Sequence, residues 1–556
     1  MISNRMIQKN PVVQYLSSSK HLVFILLLTI LVYVQSASFP FLQFDDTTFI
    51  VENPRMHQWA ALPSFFLGGG SAADKATVIP GFYRPLQNCW VLLSYKVLGQ
   101  RPGLWHLVGV LLYGLGIGLL WKIIKNLTGD DFIASGAALL YALHPMHVEG
   151  VAWISAAWVD PLVSIFFFAG FLAWLRWRNG GRNWWLALCG FLSLAALLTK
   201  ESGIALPMLI IAHALIFRRT EHESRRSLRH ISALITVMTA SVAMYAAMRW
   251  HGTGAFITSD PAHTWSQVLR TAPLMFVTYL GHAVWPFHLG TWYDVPVVAG
   301  VTDMRFWFPL IVLAGYLALT IWAVIQKPLF GFFLLWWLLP LGAPVMGSLQ
   351  FNEYELLHDR FAFVPIAGLC VILVTWLGRI PAGKTKLFGV NAASAAVIAC
   401  LVTLMGIKTA AQVNTWKSDQ AMFTQAVKAC PGCIRPRLLL ANWFARQGDV
   451  GKALELDREA IQVFPKRWEP SFVYGITLAM TGDRRNALSS LAHALELGPG
   501  ETSIYVGTAN VLAQDGRLAE AVQVLQRGEQ RAENPQLIRQ WLLKMEKFRR
   551  LSEAAR

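Results

Sequence analysis

Charge is what this sequence has least of. Only 14% of its 556 residues are Asp, Glu, Lys or Arg, while 55% are hydrophobic; a soluble domain averages roughly 25% charged. That shortage excludes a single soluble core, because lipid must cover part of so much apolar surface. Acid is scarcer than base, 32 against 48, for a formal charge of +16. From Ala411 onward 20 basic residues face 15 acidic ones, which leaves 28 against 17 upstream. Most of the basic excess therefore belongs to the apolar part, where it reads as cytoplasmic anchoring and contact with lipid phosphate. No arginine-rich arm or nucleic-acid motif accompanies it. Cysteine is sparse as well: six are scattered, and only Cys430 and Cys433 lie close, as Cys-Pro-Gly-Cys. That spacing suits a redox or metal pair, but no second Cys or His pair stands nearby to complete a zinc site. The pair reads as a structural disulfide or two free thiols, with redox chemistry as the alternative. Tryptophan is abundant, 23 residues, as in the aromatic belts at membrane–water interfaces.

The N-terminus carries Arg5, Lys9 and Lys20 and then an apolar run from His21 to Phe39. The run is long and no convincing small-x-small cleavage site follows, so it reads as an uncleaved first helix with its N-terminus inside. A polar stretch, 40–103, follows and contains Gly68-Gly69-Gly70. Further apolar runs lie near 104–125, 131–150, 158–177, 184–199, 203–217, 231–248, 269–287, 305–325, 329–347, 361–378 and 388–408. Several approach the roughly 20 residues a helix needs to cross a bilayer; 184–199 and 203–217 are short enough to be bent or partial spans. Basic loops at Lys122 and Lys125, at Arg176, Arg178 and Arg182, at Arg218 to Arg229, and at Arg379 to Lys386 mark the inside. Counts from the two ends agree if 269–287, with His282 and Pro286, enters and leaves without crossing. That predicts about 11 crossings, with everything after 408 outside.

The tail repeats. Pro431, Pro465 and Pro499 are spaced by one period of 34 residues, and so are Gly448, Gly482 and Gly516, and Ala453, Ala487 and Ala521. A 34-residue period with Gly between two helices and Pro closing the unit is the tetratricopeptide pattern. Each helix pair buries its apolar face only by stacking on the next. The stack makes a groove suited to peptide, or a spacer or dimerisation module.

The acids of the apolar part gather in segments predicted outside, where charge at bilayer depth is avoided. Asp45-Asp46 follows the first run, and Tyr83-Arg84-Pro85 comes later in the same loop. His144-Pro145-Met146-His147-Val148-Glu149 ends another run and Asp160 opens the next. Lys200-Glu201 joins the two short runs, and His358-Asp359-Arg360 precedes another. Sugar transfer from a lipid phosphate needs a carboxylate to take the acceptor proton, cations to neutralise the departing phosphate and both substrates held in line. Asp45 or Asp46 is the candidate base. Arg84, Lys200 and Arg360 are candidate phosphate contacts. His144, His147 and Glu149 are candidates to orient the sugar or hold a divalent metal, and Asp160, Glu201 and Asp359 complete the set. Each has a plainer reading: a solvated loop start for the paired aspartates, backbone bonds for the two histidines, a local ion pair for Lys200-Glu201, an interfacial anchor for His358-Asp359-Arg360.

In these stretches the chain resembles the transmembrane and tetratricopeptide-repeat O-mannosyltransferase-like proteins and, more broadly, the GT-C superfamily of polyprenyl-phosphate-sugar-dependent glycosyltransferases. The similar stretches are Phe44-Asp45-Asp46, Tyr83-Arg84-Pro85-Leu86-Gln87-Asn88 and Trp105-His106-Leu107. They continue through Ala142 to Glu149 with Val151-Ala152-Trp153, then Leu198-Thr199-Lys200-Glu201-Ser202, then Asp359-Arg360-Phe361 with Pro365, and Asn414-Thr415-Trp416-Lys417. The resemblance implies an inverting transfer from a dolichyl- or undecaprenyl-phosphate-linked sugar to a Ser or Thr hydroxyl, with Asp45 as base. The family often has an acid and a base between Ser155 and Asp160, where this chain reads Ala156-Ala157-Trp158-Val159.

The expected architecture is therefore all-α: a GT-C-like membrane domain over 1–410 with its first external loop at 40–103, then a repeat domain of three or four units over 411–556. The expected activity is glycosyl transfer to protein on the periplasmic or luminal face, in a bacterial inner membrane. The partners are a polyprenyl-phosphate-linked sugar, membrane lipid and an acceptor protein or peptide held in the repeat groove. No cofactor is firmly implied. Two rivals stand beside it: transfer of a lipid-linked glycan to a lipid or polysaccharide, and a non-enzymatic membrane scaffold.

Overall fold

The computed structural model describes residues 11–67, 82–218, 224–254, 263–349, 356–380, 386–387 and 390–554. Arg5, Lys9, Arg219 and the Gly68–Gly70 run lie outside them. The class is all-α: among the described residues the only strand pairing is a two-residue antiparallel contact of Lys386–Leu387 with Val390–Asn391. The chain divides into two compact units, Met1–Ser418 and Asp419–Arg556.

Among the described residues of the first unit seven helices are long and apolar enough to cross a membrane: Lys20–Ser38, Pro102–Thr128, Ile154–Arg178, His230–Thr253, Met304–Gln326, Pro328–Gly347 and Ala392–Trp416. Four shorter apolar helices accompany them, Asp131–Ala142, Trp184–Thr199, Glu201–Ile216 and Ile366–Leu377. Proline opens several, at Pro85, Pro102, Pro161 and Pro328, where its missing N–H costs nothing. Burial separates centre from periphery. The window in Ile154–Arg178 is 78% buried, whereas those in His230–Thr253 and Met304–Gln326 are 17% buried.

Trp265–Val284 is one unbroken 20-residue helix, about 30 Å long at 1.5 Å per residue, and it is not one of the seven apolar enough to cross. The described parts of the 40–103 stretch are folded. They carry short turns at Pro54–His57 and Trp59–Ala61 and helices Leu62–Leu67 and Pro85–Leu98. Ile50, Met56, Phe65, Val91 and Leu92 pack there on Trp105, Ile154, Ala157 and Trp158. The two compact units meet at 418/419. The last helix of the first unit continues to Val413, and Trp416 beyond it stacks on Trp153 with ring centroids 5.5 Å apart.

The second unit holds three helical hairpins: Ile434–Arg446 with Val450–Val463, Trp468–Met480 with Arg484–Leu497, and Thr502–Gln514 with Leu518–Arg531. Each pairs 13 residues with 14. Gly448, Gly482 and Gly516 make the three turns at φ of 85°, 86° and 74°, a left-handed conformation that side chains disfavour. Ala453, Ala487 and Ala521 are fully buried. The stack continues through Ile504, Leu491, Leu525 and Ile538, all fully buried, each contributing about 1.5–3 kcal/mol. A disulfide joins Cys430 to Cys433 across the turn between Asp419–Ala429 and Ile434–Arg446.

Candidate active site

Within the first unit a cavity of about 580 Å³ is walled by two kinds of side chain. One part is apolar, with Phe167, Leu197, Met208, Val242, Leu339 and Phe361. The other carries four cations and two acids: Arg84, Lys200, Arg249 and Arg360 with Asp160 and Glu201. An apolar chamber with a charged end fits an amphiphile that has an anionic head.

Local structure fixes each charge. Arg84 immediately precedes Pro85, the first residue of its helix, and stacks on Phe82 at 4.2 Å. Its Nε and Nη2 donate to Glu201 Oε2 at 2.9 and 2.7 Å. Arg249 Nη1 approaches the other oxygen of Glu201 at 3.7 Å and donates to the Tyr245 hydroxyl at 3.2 Å. Lys200 is extended between two helices (φ −156°), and its Nζ is bonded to Asp160, the first residue of the helix Asp160–Arg178. The second oxygen of Asp160 is buried with no hydrogen-bond partner. The turn after Lys200 depends on Gly203, since a Cβ there would meet the backbone of Ala196 and Leu197 at 2.5 and 2.6 Å. Lys200 and Glu201 thus do not form the local ion pair their adjacency suggests. The chain bends between them and sends each to a distant partner.

Glu149 lies behind the cavity wall. Its Oε1 accepts from His358 Nδ1 at 3.1 Å and from the Arg360 guanidinium, and its Oε2 accepts the Arg360 N–H at 3.0 Å. Burial pushes the Glu149 carboxyl up, but Arg360 and His358 outweigh it and bring it down to about 2. Asp359 accepts the Tyr293 hydroxyl, whose oxygen is 2.8 and 2.9 Å from the two carboxylate oxygens, with His282 Nδ1 3.5 Å away. Burial holds Asp359 above the usual carboxylate range. It joins Arg360 in sequence but is not part of the cavity wall.

The paired aspartates divide. Asp46 is 1% exposed. It accepts from the Leu42 N–H at 3.0 Å, from the Ser155 N–H at 2.9 Å and from the Ser155 hydroxyl. Burial pushes its carboxyl up to about 6. Asp46 thereby ties the first external segment to the Ser155 turn. Asp45 is only partly buried. Its neighbour Phe44 packs on Trp153 and Trp292, and the Arg360 guanidinium lies 5.0 Å over Trp153. His144 and His147 take backbone partners. Both are buried; His144 Nε2 lies 3.0 Å from the Ala283 carbonyl and His147 Nε2 3.1 Å from that of Phe363. His144 Nδ1 accepts the Met146 N–H at 3.3 Å. They hold backbone in place, neither lines the cavity, and no cluster of three metal-ligating side chains exists among the described residues.

Residues 84–250 match a family model described as dolichyl-phosphate-mannose-protein mannosyltransferase. That segment contains every ionised residue of the cavity wall but Arg360. The chain is 25% identical to the human protein O-mannosyl-transferase TMTC1 over 76% of its own length and 53% of the relative's. It is 24% identical to human TMTC4 over 70% and 59%, and 28% identical to human TMTC2 over 35% and 25%. By these matches the chain is similar to the transmembrane protein O-mannosyl-transferases of that group. It spans little more than half the length of the first of these relatives.

Two residues in and around this site escaped the sequence reading. Arg249 is an arginine, 7% exposed, inside the apolar helix His230–Thr253. A buried cation in an apolar helix is itself a signal of function, but Arg249 lies one residue past the 231–248 run and passed as its edge. Tyr293 lies in a stretch without regular secondary structure, and nothing local marked it as the partner of Asp359.

Proposed function

We propose that this protein is a membrane glycosyltransferase that moves a sugar from a polyprenyl-phosphate carrier to a Ser or Thr hydroxyl of a protein, on the non-cytoplasmic face and with inversion. The observation that carries this reading is the cavity in which Arg84, Lys200, Arg249 and Arg360 meet an apolar wall. The apolar wall suits a prenyl chain and the cations suit its phosphate. Four cations against two acids leave a surplus of two positive charges. The donor's phosphodiester carries one negative charge and the departing polyprenyl phosphate approaches two. The surplus therefore favours the transition state over the bound donor.

Asp45 is the base in this mechanism. The acceptor O–H gives its proton to the Asp45 carboxylate, the acceptor oxygen forms a bond to the anomeric carbon, and the anomeric carbon–oxygen bond to phosphate breaks. Its electron pair stays on the phosphate oxygen, which Arg360, Lys200 and Arg84 neutralise. The partial burial of Asp45 and its neighbour's packing on Trp153, beneath Arg360, support this role. The 34-residue hairpins form a tetratricopeptide-type groove that presents the acceptor. The Cys430–Cys433 disulfide suits an oxidising, periplasmic or luminal compartment for them.

The test is transfer by the purified full chain in lipid nanodiscs, with undecaprenyl-phosphate-mannose as donor and Ser/Thr-rich peptides as acceptors, read by intact mass. The expected result is peptide carrying one added hexose, absent with Asp45→Asn. No hexose on any peptide, with donor lipid bound, would reject protein as the acceptor.

A further inference from the structure

The sequence offers Glu149 as a residue that could orient the sugar or share a metal, but its surroundings assign it a different task. Both carboxylate oxygens face protein: Oε1 takes His358 and the Arg360 side chain, and Oε2 takes the Arg360 backbone N–H. Glu149 is 4% exposed and absent from the cavity wall, whereas Arg360 is part of it. The carboxylate grips Arg360 at two points, main chain and guanidinium, so rotation of the side chain breaks one bond while the other still fixes the Cα. The Trp153 and Phe361 rings lie 5.0 and 5.4 Å from the guanidinium carbon, and the Arg360 side chain keeps 20% of its surface exposed, in the cavity wall. Glu149 is itself fixed from upstream, because His144 and His147 pin the preceding turn to two distant carbonyls.

We infer that Glu149 is a positioning residue: it acts through Arg360, holding that guanidinium where it meets the phosphate of a lipid carrier, and so sets the preference of the cavity for phosphorylated over neutral polyprenyl lipid. This rests on the lipid-phosphate reading above. It assigns the specific His-Pro-Met-His-Val-Glu segment to one purpose, which neither sugar orientation nor metal binding does. A guanidinium held in place loses less side-chain entropy when it binds phosphate than a free one.

The test compares undecaprenyl phosphate with undecaprenol, using the full chain in nanodiscs and native mass spectrometry to count bound lipid. Wild-type protein should prefer the phosphate, and Arg360→Ala should lose most of that preference. Glu149→Gln should weaken phosphate-lipid binding about tenfold, the scale of one charge-assisted hydrogen bond, and leave undecaprenol binding unchanged. In the Glu149→Gln/Arg360→Ala double variant the loss should equal that of Arg360→Ala alone, since Glu149 acts through Arg360. The inference is overturned if Glu149→Gln binds phosphate lipid as wild type does, if it loses both lipids equally (a merely structural role), or if the two losses add. Should Glu149→Gln fail to fold, His358→Asn unties one partner of the same carboxylate. A loss confined to the phosphate lipid then supports the inference, and no loss or an equal loss overturns it. If wild-type protein shows no preference for the phosphate, the lipid-phosphate reading itself falls. If it shows one that Glu149→Gln leaves intact, only the role of Glu149 falls.

Discussion

Replacing Asp457 by Asn gives a stability change whose size and pH dependence follow from the structure. Asp457 belongs to the helix Val450–Val463 and is fully buried. Its Oδ2 accepts the Thr477 hydroxyl from the neighbouring hairpin at 2.7 Å, and Oδ1 is buried without a hydrogen-bond partner. Burial pushes its carboxyl from 3.8 up to about 7, against the pull of Thr477. The folded chain therefore holds this proton where the unfolded chain has released it. Stability falls as pH rises from about 4 to about 7 and is level above that. At ~1.36 kcal/mol per pKa unit the ionised carboxylate costs about 4 kcal/mol at alkaline pH. Asparagine keeps the Thr477 bond and never ionises, but its amide N–H groups take the place of Oδ1 with no acceptor, at about 1–3 kcal/mol. Asp457→Asn should therefore stabilise the repeats by about 2 kcal/mol near pH 8.5. Near pH 5 the difference should be close to nothing. Hydrogen exchange by mass spectrometry on the full chain reads this directly in peptides from Val450–Val463 and Trp468–Met480. Variant and wild type are compared at the same pH, so intrinsic exchange cancels. At pH 8.5 the variant's amides should exchange roughly 30-fold more slowly. Equal protection at both pH values, or weaker protection in the variant at pH 8.5, would refute the assignment of a buried, half-satisfied carboxylate.

Asp45→Asn should lower transfer by roughly 10²–10⁴ with donor-lipid binding intact, while Asp46→Asn should instead raise exchange around Leu42 and Ser155, which it ties together. Activity loss without loosening in the first variant, and the converse in the second, checks the division of the pair. His147→Ala leaves the Phe363 carbonyl without its partner and should cost about 1–3 kcal/mol, seen as a lower melting temperature in nanodiscs. Arg249→Leu removes one cation from the cavity. It should weaken undecaprenyl phosphate and not undecaprenol, with a shallower salt dependence of binding than wild type.

The parts legible in the sequence are those written in local order. Apolar runs read as helices because main-chain hydrogen bonds close within a few residues. The 34-residue spacing of Pro, Gly and Ala forecast hairpins of equal length, with Gly448, Gly482 and Gly516 at the left-handed turns. Adjacency in sequence is a poorer guide to partnership: Asp45 and Asp46 are neighbours yet Asp46 is a buried tie, since successive side chains in a turn point different ways.

Sequence alone pointed to a membrane-embedded, all-helical chain with a 34-residue period, and it named five of the six charged residues at the cavity. It also carried the family resemblance. The partnerships came only with the folded chain. Arg84 reaches Glu201 across 117 residues, Lys200 reaches Asp160 across 40, and Glu149 reaches Arg360 across 211. In an apolar interior a charge is tolerable only beside its counter-charge. Which counter-charge is near depends on how helices pack, a property of the whole assembly that no local stretch encodes.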